Sequence, residues 1–304
     1  MFRELKNVRI KPLIILGAGA SYDLVESNQY NDFNEKDYRP PLMDDIFKEN
    51  DFYLGIRKKY SHLNGLVAVV RARMKKGKTF EEVITEIRNS KEEREQFKSE
   101  IPELKQYIAE LFVNISYKNK DIVGNYHALF RNLKTSCTES MVVNFNYDYL
   151  AQKAISDVYG VGFNNLNDYL SDNIKLIHVH GSVLFSRNRK DDIKLEKELN
   201  NVVSKNPSIT VPTTKSKYFS CPKSHEEALK NYLKIANVVI IIGWKGREDN
   251  FAKLLLKLQR VRKIIIAGGD MPKILENSGL NRFVCRKKYE ETFSKLIEAY
   301  PDFN

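Results

Sequence analysis

Nowhere in this sequence do apolar residues run on for eighteen positions, which excludes a membrane-spanning helix. The opening MFRELKNVRI has no apolar core of the kind a secretory leader needs, so the expected location is the cytoplasm. Cysteine is scarce as well. Cys137, Cys221 and Cys285 stand far apart, with no CxxC pair, no zinc-ribbon spacing and no disulfide framework, so reduced structural thiols and no metal site are expected. Internal repeats and low-complexity tracts are also missing, which argues against solenoid and fibrous architectures.

What is present is a chain of 304 residues, 42% of them hydrophobic, long enough for one large domain or two modest ones. Lys and Arg number 50 against 39 Asp and Glu, a formal charge of +11 that favours anionic partners, dinucleotides and nucleic acid among them. The basic residues cluster at 57–60, 71–78 and 286–290, but no aromatic residues are interleaved as in a nucleic-acid groove. Solvated helix faces account for these clusters more simply.

Four apolar runs, PLIILG (12–17), SMVVNFN (140–146), VVIIIG (238–243) and KIIIAGG (263–269), are too continuous for half-exposed strands and predict buried parallel ones. A fifth, IKLIHVHG (174–181), is less clean. Helical patterns such as YLAQKAISDVY and NFAKLLLKLQRV fall between them. The alternation predicts an α/β, Rossmann-like, mostly parallel sheet covered by helices on both faces. Residues 42–135 are rich in Glu, Lys and Arg at helical spacing and predict a helical insert within a single 1–304 domain. The stretch 185–208 reads as a mobile or helical excursion over the site.

Each apolar run ends in Gly, Asn or His, and in doubly wound sheets ligands lie outside the carboxyl ends of the strands. The run KPLIILGAGASYD enters Gly17-Ala18-Gly19-Ala20-Ser21 directly, a turn suited to bringing backbone N–H groups against a pyrophosphate. The dehydrogenase fingerprint fails, because Tyr22 stands where its third glycine belongs. A tight turn without a ligand is the alternative.

Four pieces in order resemble the sirtuin-like NAD-consuming proteins, especially their bacterial NAD-hydrolysing branch used in anti-phage defence: GAGAS (17–21), NFNYD (144–148), HVHGS (178–182) and VVIIIGW (238–244). VPTTKSKY (211–218) is a looser fifth. The resemblance implies a catalytic asparagine at Asn146 and a catalytic histidine at His180. It implies cofactor contacts at Gly17, Ala18, Gly19, Ala20, Ser21, Asp148, Gly181 and Gly243. Two departures stand out. Trp244 follows Gly243 where the family has serine, and the paired CxxC zinc module of protein-deacylating sirtuins is missing. The second departure favours hydrolysis over deacylation, with NAD as substrate and no metal. It leaves deacylation, ADP-ribosyl transfer and non-catalytic NAD or ADP-ribose binding as alternatives. The defence context implies a homo-oligomer or a complex with a partner protein.

The residue chemistry agrees with that assignment. A neutral amide such as Asn146 both donates and accepts, which suits orienting a water and the ribose hydroxyls. An imidazole such as His180 suits taking a proton. Asp148 reads equally as a helix cap before YLAQKAI, and His178 as a supporting residue two positions before His180. Arg39, in YRPPL, is placed to reach the cofactor or to remain solvated.

Overall fold

The computed structural model describes residues 10–24, 38–188, 190, 192–196, 206–211, 213, 219–246, 248–268, 273–285 and 293–299. These residues hold nine strands. β1 (Pro12–Leu16), β2 (Ser140–Asn144) and β3 (Ile174–His178) come first, then β4 (Gly181–Arg187), β5 (Ile193–Leu195) and β6 (Pro207–Ile209). β7 (Val238–Ile242), β8 (Lys263–Ala267) and β9 (Val284–Cys285) follow. Six of them form one sheet in the order β3-β2-β1-β7-β8-β9, with every pair parallel. The strand order reverses between β1 and β7, and a crevice opens at such a point in a doubly wound sheet.

The strands are continuous apolar runs because both faces of the sheet are covered. Ile14, Val142, Leu176, Ile240 and Ile265 belong to one core, and their neighbours Leu13, Met141, Ile177, Val239 and Ile264 to another. The chain between β1 and β2 carries α1 (Ala18–Tyr22), α2 (Asp51–Arg57), α3 (Asn64–Met74), α4 (Phe80–Asn89), α5 (Lys91–Gln96), α6 (Glu100–Asn119) and α7 (Asn125–Ser136). The first core is closed by α7, α8 (Leu150–Tyr159) and the carboxyl-terminal helix Phe293–Ala299. The second is closed by α9 (Lys223–Tyr232) and α10 (Asp249–Leu255). The fold is therefore Rossmann-like, a parallel sheet with helices on both sides.

The helices from α2 to α6 bury a third core of their own, with Leu66, Val70, Ile84, Tyr107 and Ile108 fully inside. α4 starts where the sequence supplies a capping box. Thr79 Oγ1 accepts from Glu82 N–H while the Glu82 carboxylate accepts from Thr79 N–H. This core also takes in Tyr147, Val183, Ile209 and Val211 from outside the helices, so the helical layer is packed onto the rest of the molecule. The basic cluster at 71–78 lies here, where Arg71 pairs with Glu49, Arg73 with Glu93 and Lys78 with Glu86. The cluster at 286–290 lies outside the described residues.

Two expectations are corrected by the fold. The described residues of 185–208 are not helical. They contribute to a three-stranded antiparallel sheet, β5-β4-β6, while 189, 191 and 197–205 lie outside the described residues. The reason is burial: Val183 and Phe185 of β4 are fully enclosed although a charged run follows them in sequence. In addition, the strand expected to reach Gly181 stops at His178, and the chain turns at Val179 and His180 before β4 begins. β9, only two residues long, has no counterpart in the sequence reading.

Candidate active site

A cleft of about 400 Å³ opens at the carboxyl ends of β1, β2 and β7. Its size is in the range of small-molecule sites. Gly17, Ala18, Gly19, Ser21, Asn146, Asp148, His180 and Gly243 all line it, so segments more than two hundred residues apart in sequence meet at one wall. Ala20 and Gly181 stand outside that wall. Ala20 is buried in the sheet core behind the turn. Gly181, at φ +83°, meets β6: a Cβ there would sit 1.7 Å from the Ser208 carbonyl oxygen. That glycine is required by a strand crossing.

The glycine turn owes its composition to backbone packing. Gly17 N–H donates to the Ile242 carbonyl (2.9 Å) and Gly19 N–H to the Gly243 carbonyl (3.1 Å). A Cβ on Gly17 would lie 2.3 Å from Gly243 O, and one on Gly19 would lie 2.8 Å from Gly243 Cα. Gly243 itself sits at φ +59°, a conformation few side chains tolerate. Two of the N–H groups expected to face a pyrophosphate are thus bonded to the end of β7 and the glycine that follows it. These glycines join β1 to β7 before they touch any ligand.

Asn146 lies just past β2, and its orientation is set by the protein. Its Nδ2 donates to the Gly17 carbonyl (3.0 Å) and to Ser21 Oγ (2.9 Å), with Tyr126 OH at 3.3 Å. A carbonyl oxygen can only accept, so Gly17 fixes which end of the amide is which. Oδ1 has no donor among the described residues and is the amide atom left to the cleft. Ser21 is only 2% exposed, and its hydroxyl is taken by Asn146 and Tyr126 rather than free for a phosphate.

Asp148 is fully buried at the start of α8, where its Oδ1 accepts from Leu150 N–H (3.1 Å). Tyr149 occupies the cap position itself, so the carboxylate caps from one residue further out. Burial raises its pKa to about 6, countered by the Ser21 hydroxyl and by backbone N–H groups. The turn after β3 separates the two histidines. His180 reaches the cleft wall, edge-on to the Phe145 ring at 5.0 Å. His178 is sealed behind, with Nδ1 3.4 Å from the Asn146 carbonyl oxygen. Burial pushes both down to about 4, so both imidazoles are neutral at pH 7.

Other wall residues were not assigned to the site from the sequence. Trp244 stacks on Phe145 at 5.4 Å and donates from Nε1 to Glu248 (2.8 Å). Asp23, Asp44, Glu81 and Glu248 join Asp148 in the lining, where Lys245 is the one lysine or arginine among the described residues. Trp244 was legible as a departure from the family pattern. The carboxylates, scattered over four elements, gave no local signal. Arg39 does not line the cleft; it donates from Nε to the Tyr22 carbonyl (2.6 Å), lies over the Tyr22 ring and pairs with Asp23 at 3.6 Å. Among the described residues no group of three or more His, Cys, Asp and Glu side chains is placed to hold a metal. The cysteines are free, and burial raises Cys137 to about 11 and Cys221 to about 12, outside the range of a reactive thiolate at neutral pH. Most of 211–218 lies outside the described residues, though Thr213 lines the cleft.

Comparison with solved structures returns Sir2 homologues across nearly the whole chain. A mutant Sir2 homologue in complex with 2′-O-acetyl ADP-ribose aligns with a TM-score of 0.52 at 15% identity, covering 95% of this chain and 91% of that one. The chain has a sirtuin-like fold. A Sir2 homologue mutant in complex with ADP-ribose aligns at a TM-score of 0.48 and 15% identity, covering 98% and 96%. A Sir2 homologue in complex with NAD aligns at 0.45 and 15%, covering 96% and 88%. No family model and no curated protein matches the chain. Among the described residues of this sirtuin-like molecule, no helix is long and apolar enough to cross a membrane.

Proposed function

We propose that this protein is an NAD glycohydrolase that cleaves NAD to nicotinamide and ADP-ribose. The observation that supports the reading best is the convergence of the glycine turn, Asn146 and His180 on one cleft at the sheet's switch point. NAD supplies a nicotinamide that is already a cationic leaving group, so strong acid assistance is unnecessary. Asn146 Oδ1, held by the bonds on Nδ2, is an acceptor for a water or a ribose hydroxyl. His180, neutral at pH 7, takes the proton that such a hydroxyl gives up. The wall carboxylates provide a field that favours a cationic ring over a neutral one. Phe145 and Trp244, stacked and nearly buried, make an apolar part of the same wall.

Nicotinamide release from NAD by the purified protein, followed by chromatography, tests this function. Release that disappears in Asn146→Ala supports it; none under any condition, including with candidate partner proteins, overturns it. NAD-dependent removal of an acyl group from a peptide would instead place the chain with the deacylases. In keeping with a role in anti-phage defence, activity is expected only on assembly, as a homo-oligomer or with a partner protein.

A further inference from the structure

Tyr126, on α7 and twenty residues before Asn146, lies outside the cleft wall and is fully buried. Its hydroxyl is 2.8 Å from Ser21 Oγ and 3.3 Å from Asn146 Nδ2. A buried tyrosine hydroxyl needs a partner, and here the partners are two polar side chains of the site. We propose that Tyr126 is a positioning residue, whose hydroxyl closes a three-membered cluster with Ser21 and Asn146 and so holds the Asn146 amide with Oδ1 toward the cleft.

Donor and acceptor counting supports the assignment. The Asn146 amide has two protons, one directed at the Gly17 carbonyl and one at Ser21 Oγ. Ser21 is on a five-residue helix and is free to rotate about its single χ angle unless a second group holds its hydroxyl. Tyr126 provides that group from a fixed ring, stacked with Phe130 at 6.2 Å and edge-on to Phe293 at 5.7 Å. Without the Tyr126 hydroxyl, Ser21 Oγ keeps Asn146 Nδ2 and the Asp148 carboxylate beside it but loses a buried partner at 2.8 Å, and its hydroxyl is free to turn toward Asp148, which loosens the Ser21 side of the Asn146 amide while the Gly17 bond remains. The ring stays neutral throughout, since burial keeps its pKa well above the ordinary value for tyrosine.

The role rests on the glycohydrolase reading for its kinetic readout, and Tyr126→Phe in the full chain tests it while keeping the packed ring. The expected result has three parts. The turnover number for nicotinamide release falls roughly tenfold to a hundredfold. KM for NAD and the ADP-ribose dissociation constant by calorimetry stay within about threefold. The Asn146 side-chain amide protons, assigned by NMR through their loss in Asn146→Ala, exchange faster with solvent than in the unsubstituted protein. An unchanged turnover number with unchanged amide exchange overturns the proposal. Equal losses of thermal stability and ADP-ribose affinity, with no separate effect on turnover, also overturn it, since they mark Tyr126 as packing alone. If the unsubstituted protein releases no nicotinamide, the functional reading fails while the amide exchange still decides the role of Tyr126: faster exchange supports it and unchanged exchange refutes it.

Discussion

His180 and His178 differ by two positions in sequence and by the whole thickness of the cleft wall in space, and mutation should separate them. Asn146→Ala and His180→Ala are each expected to lower nicotinamide release by on the order of 10²–10⁴-fold. His178→Ala should cost less turnover, since no atom of it lines the cleft, and more stability. Steady-state rates and urea midpoints on the three variants measure both effects. The same side chains set a pH dependence. An unfolded chain protonates His178 and His180 near pH 6.5, whereas the folded chain resists until about 4. Their stabilisation is complete above pH 6.5 and is lost as pH falls. Asp148 acts oppositely: its folded pKa of about 6 lies above the ordinary 3.8, so its contribution is present at low pH and lost as pH rises toward 6. Two groups outweigh one, and His225, also lowered by burial, adds to the majority. Stability should therefore fall between pH 6.5 and 4, with a steepest slope of about 1.4 kcal/mol per pH unit for each uncompensated proton. Urea denaturation at pH 7, 6 and 5 checks the sign.

Among the elements, the junction of β1, α1 and β7 is the most exacting. Gly243→Ala combines a positive φ with a Cβ 2.4 Å from the Ala20 nitrogen, and is expected to cost about 2–3 kcal/mol or to prevent folding. Gly19→Val should lose stability together with any ligand affinity, because its first clash is with Gly243. Gly55, exposed within α2 and with nothing within 4 Å of an added Cβ, provides the contrast. Gly55→Ala should stabilise the protein by about 0.5–1 kcal/mol, read from the shift of a thermal transition. What could be read from the sequence follows the same physics. The parallel strands were legible because burial on both faces writes unbroken apolar runs, and Asn146 and His180 because polar residues ended those runs. The antiparallel sheet from β4 to β6 was not, since SRNRKDDIKLEKE masks short strands buried mainly through Val183, Phe185 and Ile209. Tyr126 was invisible for a different reason. On α7 it occupies an ordinary core position, and only the tertiary fold brings its hydroxyl to Ser21.

At the scale of the whole molecule, the proposed activity demands control, because an unrestrained hydrolase would drain a shared cofactor. Moving a closed-to-open ratio from 1:99 to 99:1 takes roughly 5.5 kcal/mol of differential binding. An interface between copies or with a partner protein provides energies of that order, and an exposed ion pair does not. Specific activity should therefore rise with protein concentration or on adding a partner. A concentration series of initial rates beside light scattering measures it, with flat, full activity in a dilute monomer as the contrary result. Chelators should leave the rate unchanged, as measured by turnover in EDTA with and without added divalent metal.

Six residues tie that molecule together at the site. Phe145 belongs to the core beneath α9 and α10, Tyr147 to the core of the helical layer, and Leu150 to the core under α7 and α8. Tyr147 is also pinned at both ends, edge-on to Phe112 on α6 and donating its hydroxyl to the Thr210 carbonyl. Asn146 and Asp148 hang between these anchors. In the language of hydrogen exchange, the segment is expected to have no opening unit of its own and to lose its geometry when one of its anchoring cores opens. Loss of catalysis in rising urea should then coincide with the least stable core rather than with global unfolding. Backbone amides of 145–150 should exchange at the rate of that weakest unit, whichever of the three it is.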